Sequence, residues 1–362
     1  MSNTPKVSVF LSSYNHENFI KESIDSVLAQ TFKDFELYIK DDASTDSSWE
    51  IIQSYNDPRI KAVRNPSNQY WGFNQAYPDL KGAYIAVQHS DDVWKPDKLE
   101  KQVAYLDAHP EIGAVFSTVD VIGEDSAPLL AESNQTMHPF SQPNRTRHEW
   151  LHHFFHAGNA LCHPSMLMRR TCHEEVGLYR SGLIQLFDLD MWVRLCMRYD
   201  IHIHQEPLMK FRIRAGQLNT SSPRVDSVIR HNFEMIPIFK NYFQLTDLQE
   251  LLKVFPEAKA YTHPEYFNPR YTMAMLLVND TEFPGGQLLG LETLFEMLND
   301  PQESEKLKKY FQLDTLKFKG ICTARDVFAV EARNMVSYYS QSKSWRYTKP
   351  LRMIGDSFRK GK

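Results

Sequence analysis

Cysteine is scarce and scattered. Cys162, Cys172, Cys196 and Cys322 are the only four in 362 residues, and no two of them form a CxxC pair. That spacing gives neither a zinc ribbon nor a disulfide framework, and it predicts a reducing compartment. No apolar run approaches the ~20 residues needed to span a bilayer. Met1 to Pro5 is polar and leads straight into an apolar strand, so no signal peptide is expected. Charge of one sign is not in excess. Lys and Arg number 41 against 45 Asp and Glu, a net charge of −4, and no general nucleic-acid affinity follows. Internal repeats and low-complexity tracts are missing. What remains, 42% hydrophobic and 24% charged residues, is ordinary for a soluble globular chain long enough for two domains.

The first half alternates between two periodicities. Val7-Ser8-Val9-Phe10-Leu11, Phe35-Glu36-Leu37-Tyr38-Ile39, Ile60-Lys61-Ala62-Val63, the apolar run Ala83 to Val87, and Ala114 to Val119 read as strands. Between them, Ile20, Ile24, Val27 and Leu28, and later Trp49, Ile51 and Ile52, recur at helical spacing. Alternating strands and helices predict an α/β fold with a mostly parallel sheet flanked by helices. Residues 123–147 lack periodicity and read as a long loop. From about Val225 helical spacing dominates, in Ile229 to Tyr242, Leu245 to Phe255, Phe267 to Val278, Leu288 to Leu298 and Val327 to Tyr339. This divides the chain into domains at 1–224 and 225–340, with a tail at 341–362.

Asp91 and Asp92 are the most informative pair. They close the Ala83 to Val87 strand and precede Val93-Trp94-Lys95-Pro96, where Pro96 suits the first turn of a helix running to Leu106. Ligands of open α/β sheets bind at the carboxyl ends of strands. Adjacent carboxylates need a cation or hydrogen-bond donors to offset their repulsion. These residues alone point to a metal-assisted nucleotide site, and a strand-end turn with Asp91 as helix N-cap is the plainer alternative.

Several segments together resemble family 2 glycosyltransferases over roughly residues 5–215. They are Lys6 to Asn15, Ser26 to Phe32 followed by Phe35-Glu36-Leu37, and Asp41 to Asp46. His89-Ser90-Asp91-Asp92 and Phe187 to Leu195 complete the set, in family order. The resemblance implies a GT-A fold, a nucleotide-sugar donor, inversion at the anomeric carbon, and a divalent metal, Mn2+ or Mg2+. It places the metal on Asp92 and the donor ribose on Asp91. It gives Asp42, rather than Asp41, the N–H of a uracil or thymine, with Tyr14 stacking on the base and Ser12 hydrogen-bonding nearby. Asp188 would be the base that deprotonates the acceptor, with Asp190 second choice or part of a network with Arg194. Arg212 and Arg214, in the stretch Phe211 to Gln217, would close over the diphosphate, with surface ion pairs as the alternative. His163, with Asp190, would face the acceptor. His89 stands where many relatives carry an acidic residue. Glu149, His152, His153 and His156 read as a polar wall or a plain surface helix.

The function expected is transfer of a hexosyl or N-acetylhexosaminyl group from a UDP-sugar, less readily a dTDP-sugar. The acceptor would be a glycan or lipid-linked glycan in bacterial surface-polysaccharide synthesis, and the enzyme cytoplasmic and peripheral on the inner face of the membrane. Two other readings are a nucleotidyltransferase and a non-catalytic glycan-binding protein on the same fold. The first would place a Gly-rich basic loop after the first strand, where Ser12-Ser13-Tyr14-Asn15-His16 stands instead. The last 20 residues carry seven basic side chains against the single Asp356, with Tyr347, Leu351, Ile354 and Phe358 on one helical face. A basic amphipathic end of this kind predicts binding to an anionic membrane surface.

Overall fold

The computed structural model describes residues 4–69, 72–129, 140–214 and 224–330. The basic tail, most of Val327 to Tyr339, the middle of the 123–147 loop and Gln217 lie outside them. The chain divides into two compact units, residues 1–256 and 257–362.

The first unit is built on one eight-stranded sheet. The strands β1 (Val7–Ser13), β2 (Phe35–Asp41), β3 (Ile60–Arg64) and β4 (Tyr84–His89) pair in parallel, with α1 (Ile20–Leu28), α2 (Ser48–Gln53) and α3 (Gly72–Ala76) between them. Next come β5 (Val93–Trp94), α4 (Lys98–Ala108), β6 (Ile112–Ile122), α5 (Arg147–Ala157), β7 (Leu167–Arg169), α6 (Arg170–Val176), α7 (Phe187–Cys196) and β8 (Asp200–Arg212). The sheet order is β3-β2-β1-β4-β7-β6-β8-β5. The short β7 lies antiparallel to both β4 and β6, β6 and β8 are parallel, and β5 is antiparallel to β8.

β1 and β4 are largely apolar, β1 broken by the buried Ser8, because they are central and covered on both faces, with Val7, Val9, Leu11, Ile85 and Ala86 fully buried. Their core continues into Ile20, Ile24 and Val27 of α1 and Leu99, Val103 and Leu106 of α4. Pro96 precedes α4 by two residues, and Asp97, not Asp91, occupies its N-cap position. The helices α8 (Val225–Phe239) and α9 (Leu248–Val254) pack in this same unit. Phe155 of α5 meets Phe239 at 5.2 Å and Phe255 at 4.7 Å between ring centroids, and the Tyr242 hydroxyl donates to the Leu151 carbonyl.

The second unit contains α10 (Pro269–Asn279), α11 (Pro284–Asn299), α12 (Pro301–Phe311) and α13 (Thr315–Thr323). Proline opens three of them, where its missing N–H costs nothing. Asn268, Asp300 and Asp314 cap α10, α12 and α13 with side-chain oxygens. Ala274, Val278, Leu294, Met297 and Leu307 form the core. Gly290 lets α10 and α11 meet closely, because a Cβ there would stand 2.7 Å from the Ala274 carbonyl oxygen. Among the described residues, no helix is long and apolar enough to cross a membrane.

Candidate active site

The carboxyl ends of β1, β2 and β4 open on a cavity of about 230 Å³. Ser12, Lys40, Asp42, Asn65 and Gln69 line one side, and His89, His163, Tyr179, Ile184 and Phe187 the other. Its apolar wall is aromatic. Phe73 meets Phe10 edge-on at 5.4 Å and Tyr179 at 5.0 Å, and Tyr179 meets Phe187 at 5.3 Å.

The two carboxylates at the end of β2 have separate tasks. Asp41 is fully buried, accepts from the backbone N–H and hydroxyl of Ser44, and lies 3.4 Å from the Arg64 guanidinium. It folds its own loop. Asp42 is one residue further, so its side chain takes the other direction, into the cavity. One of its oxygens accepts from the Asn65 amide and the Gln69 N–H, at 2.7 and 2.8 Å. Ser12 stands beside His89 across the β1–β4 pairing. Tyr14 is 43% exposed and does not line the cavity.

Asp92 is 99% buried. Its Oδ1 accepts from the Arg212 backbone N–H at 2.9 Å, and its Oδ2 has no hydrogen-bond partner among the described residues. Burial and the neighbouring Asp91 hold its carboxyl well above the ordinary range. One ligand atom each from His89, Asp91 and Asp92 lies within 4.8 Å of the other two. A buried carboxylate oxygen without a donor, next to a second carboxylate and an imidazole, suits a divalent cation.

Arg212, assigned to the diphosphate from the sequence, is turned towards protein partners. It ends β8 and its guanidinium is buried. That group donates to the carbonyls of Asp91 and Gly123, to the Ser126 hydroxyl and to Glu22. It braces the Asp91–Asp92 turn from behind. Arg214 contacts His16 at 2.8 Å, and the other ring nitrogen of His16 meets the Ser90 hydroxyl at 2.6 Å, so Arg214 stands next to the acidic turn.

Asp188 lies in the first turn of α7, directly after the cavity residue Phe187. Its Oδ2 accepts from the Asn159 side chain at 2.6 Å and its Oδ1 from the Leu189 N–H at 2.8 Å. Burial pushes its pKa up to about 6, against the pull of those two bonds. His163 packs against both His89 and Phe187, with ring centroids 5.2 and 5.3 Å away, and so links the end of β4 to the start of α7. Asp190 is drawn inward instead. It is fully buried, bonds Arg194, Arg180 and Asn241, and does not line the cavity. That is the network alternative of the sequence reading.

His163 joins the two ends of the site. Its Nδ1 lies 3.1 Å from His89 Nε2, and its Nε2 lies 2.8 Å from the Tyr179 hydroxyl. Glu149 belongs to its own helix, closing the capping box with Thr146. Reasoning from sequence did not find Asn159, Tyr179, Asn65 or Glu234. Glu234 of α8 is buried and accepts from three successive N–H groups, Ile184, Gln185 and Leu186, at 2.7–2.9 Å. It thereby fixes the strip of chain that leads into Asp188.

The sequence profile described as Glycosyl transferase family 2 matches residues 8–171. EpsE of Bacillus subtilis, whose name calls it a glycosyltransferase, is 32% identical over 204 residues, 54% of this chain and 68% of its own length. An uncharacterized glycosyltransferase of Methanocaldococcus jannaschii is 32% identical over 216 residues, 58% of this chain and 71% of its own. Among solved structures, S. aureus TarS 1-349 in complex with UDP-GlcNAc superposes with a TM-score of 0.55 at 17% identity, covering 81% of this chain and 85% of that one. At that identity the likeness is one of fold.

Proposed function

This chain belongs to glycosyl transferase family 2 and is a glycosyltransferase of the GT-A fold, and on that premise we propose that it moves one sugar from a UDP-sugar, with inversion, to a hydroxyl of a growing glycan. The observation that carries this reading is the buried oxygen of Asp92, unpartnered among the described residues, just beyond the carboxyl end of β4 where the cavity opens.

In this reading Asp42 accepts the N–H of the uracil, and Asn65 and Gln69 hold its carboxylate in place. Ser12 contacts the base from β1. Tyr14 would have to swing in from the surface to stack on it. Asp91 takes the ribose hydroxyls, Asp92 holds the cation, and Arg214 reaches the diphosphate. Arg212 acts only through the acidic turn. A divalent cation bound here, Mn2+ or Mg2+, supplies charge neutralisation to the nucleoside diphosphate as it leaves.

Asp188 takes the proton of the acceptor hydroxyl while that oxygen attacks the anomeric carbon and the bond to UDP breaks on the opposite face. A pKa near 6 suits a base that must be ionised at neutral pH and yet accept a proton. His163 lines the same cavity on the acceptor side. Asp190 supports α7 and does not meet the acceptor. The donor class agrees with the UDP-GlcNAc bound by TarS, through the shared fold alone.

The acceptor we propose is a glycan or lipid-linked glycan of a bacterial surface polysaccharide, met at an anionic membrane through residues 343–362. Flotation on anionic vesicles with and without that tail decides the membrane part. The donor reading is tested by thermal shift. UDP should stabilise the protein much more with manganese or magnesium than with a chelator, as expected for a ligand selective for the folded state. Asp92→Ala should remove the metal-dependent part. Equal stabilisation with and without metal ends the proposal.

A further inference from the structure

His89 closes the cation position from a side that an acidic residue would otherwise supply. It is the last residue of β4 and stands level with Ser12 of β1 at the cavity. Its Nδ1 lies 3.6 Å from Asp92 Oδ2, too long for a hydrogen bond, and that oxygen has no other partner among the described residues. An ion shared by both atoms accounts for a separation that direct bonding does not.

The far side of the ring is already committed. His89 Nε2 meets His163 Nδ1 at 3.1 Å, and His163 Nε2 meets the Tyr179 hydroxyl at 2.8 Å. A ring nitrogen that binds a cation must present its lone pair, so Nδ1 of His89 is bare and the proton sits on Nε2. That N–H then donates to His163 Nδ1, which leaves the proton of His163 on Nε2, donating to Tyr179. This choice of tautomers satisfies every contact in the row while leaving the Nδ1 lone pair of His89 for the cation. Metal-binding histidines are usually oriented in this way, by a partner that accepts the second N–H.

We infer that His89 Nδ1 is a nitrogen ligand of the cation alongside Asp92, aligned by His163 and Tyr179, and that this ligand set favours a first-row transition ion over magnesium. This rests on the nucleotide-site reading above and specifies its metal. Carboxylates and water suit magnesium and manganese alike, whereas an imidazole ligand adds affinity that rises from manganese to cobalt along the first-row series. The chain thus departs from an all-oxygen site at one position, and the departure has a chemical consequence.

The test uses the full chain with UDP, labelled with [15N]histidine, and manganese as the probe. Pulsed electron paramagnetic resonance on the Mn2+–UDP complex should detect a directly bound histidine nitrogen, and that coupling should be missing in His89→Asp. Competition titrations should show the preference for manganese over magnesium falling by about tenfold or more in His89→Asp, the size of effect typical of changes in the groups that support a metal site. The wild-type spectrum stands alone if the variant does not fold. Manganese bound together with UDP but without a histidine coupling overturns the ligand assignment and leaves the nucleotide site intact. No effect of either metal on UDP binding overturns both.

Discussion

The Asn159 side-chain amide donates to Asp188 Oδ2 at 2.6 Å, and this bond opposes the burial that lifts the Asp188 carboxyl. The acidity of the proposed base is therefore set jointly by the loop after α5 and by α7. If Asp188 must be ionised to act, kcat/KM should fall as pH drops through about 6. Asn159→Ala removes a stabiliser of the charged form and should move that limb to higher pH. A limb that stays in place in Asn159→Ala would show that another group controls the profile.

Asp188→Asn should lower transfer by about 10²–10⁴-fold while UDP binding stays near wild type, since the amide is close in shape but cannot take a proton. It should also stabilise the fold. A carboxyl whose folded pKa is raised costs nothing below its unfolded pKa near 3.8 and costs most above about 6. At ~1.4 kcal/mol per unit, the gain in Asp188→Asn approaches 3 kcal/mol at pH 7–8, reduced by solvent reaching the site, and vanishes near pH 3. Chemical denaturation at both pH values reads it. An equal effect on stability at both removes the electrostatic explanation.

Glu234 offers one oxygen to the Ile184 N–H and the other to those of Gln185 and Leu186. Glu234→Gln keeps the volume but turns an amide N–H₂ towards one set of donors. It should cost about 2 kcal/mol of stability, in the range for hydrogen bonds to a charged group. Transfer should also slow, because Ile184 lines the cavity and Asp188 follows closely. UDP affinity should hardly change. A variant with unaltered unfolding midpoint and kcat would mean that residues 184–186 are fixed by other contacts.

Much of this was legible because central parallel strands declare themselves. The strands β1, β2 and β4 are buried along most of their length, so their sequences are mainly apolar, broken in β1 by Ser8 and in β2 by Glu36. β8 was not legible. Asp200 to Arg212 mixes His202, His204, Gln205, Glu206 and Pro207 into a strand whose pairing with β6 shifts register near Ser117 to Val119. Phe211 and Arg212 therefore read as part of a closing loop, although they end a strand. In α12 the sequence Gln302 to Lys309 is polar apart from the buried Leu307, too sparse a stripe to register as a helix. Asp42 and Asp188 were legible through resemblance, whereas their partners Asn65 and Asn159 were not. Glu234 could not have been found, because it pairs with backbone N–H groups 48 to 50 residues away, and such groups leave no mark in a sequence.

The brace formed by Arg212 has an implication for turnover. A permanent positive charge is fixed behind Asp91, close enough to bond its carbonyl at 2.7 Å. Glu22 takes part of that charge and the acidic turn the rest, so on the proposed reading a metal would gain less Coulomb energy there than two unshielded carboxylates would give it. Much of the remaining attraction would then come from the diphosphate of the proposed donor. On the proposed reading, such an ion would be held more firmly with the nucleotide than without it, and the nucleotide-free protein would be a poor store of metal.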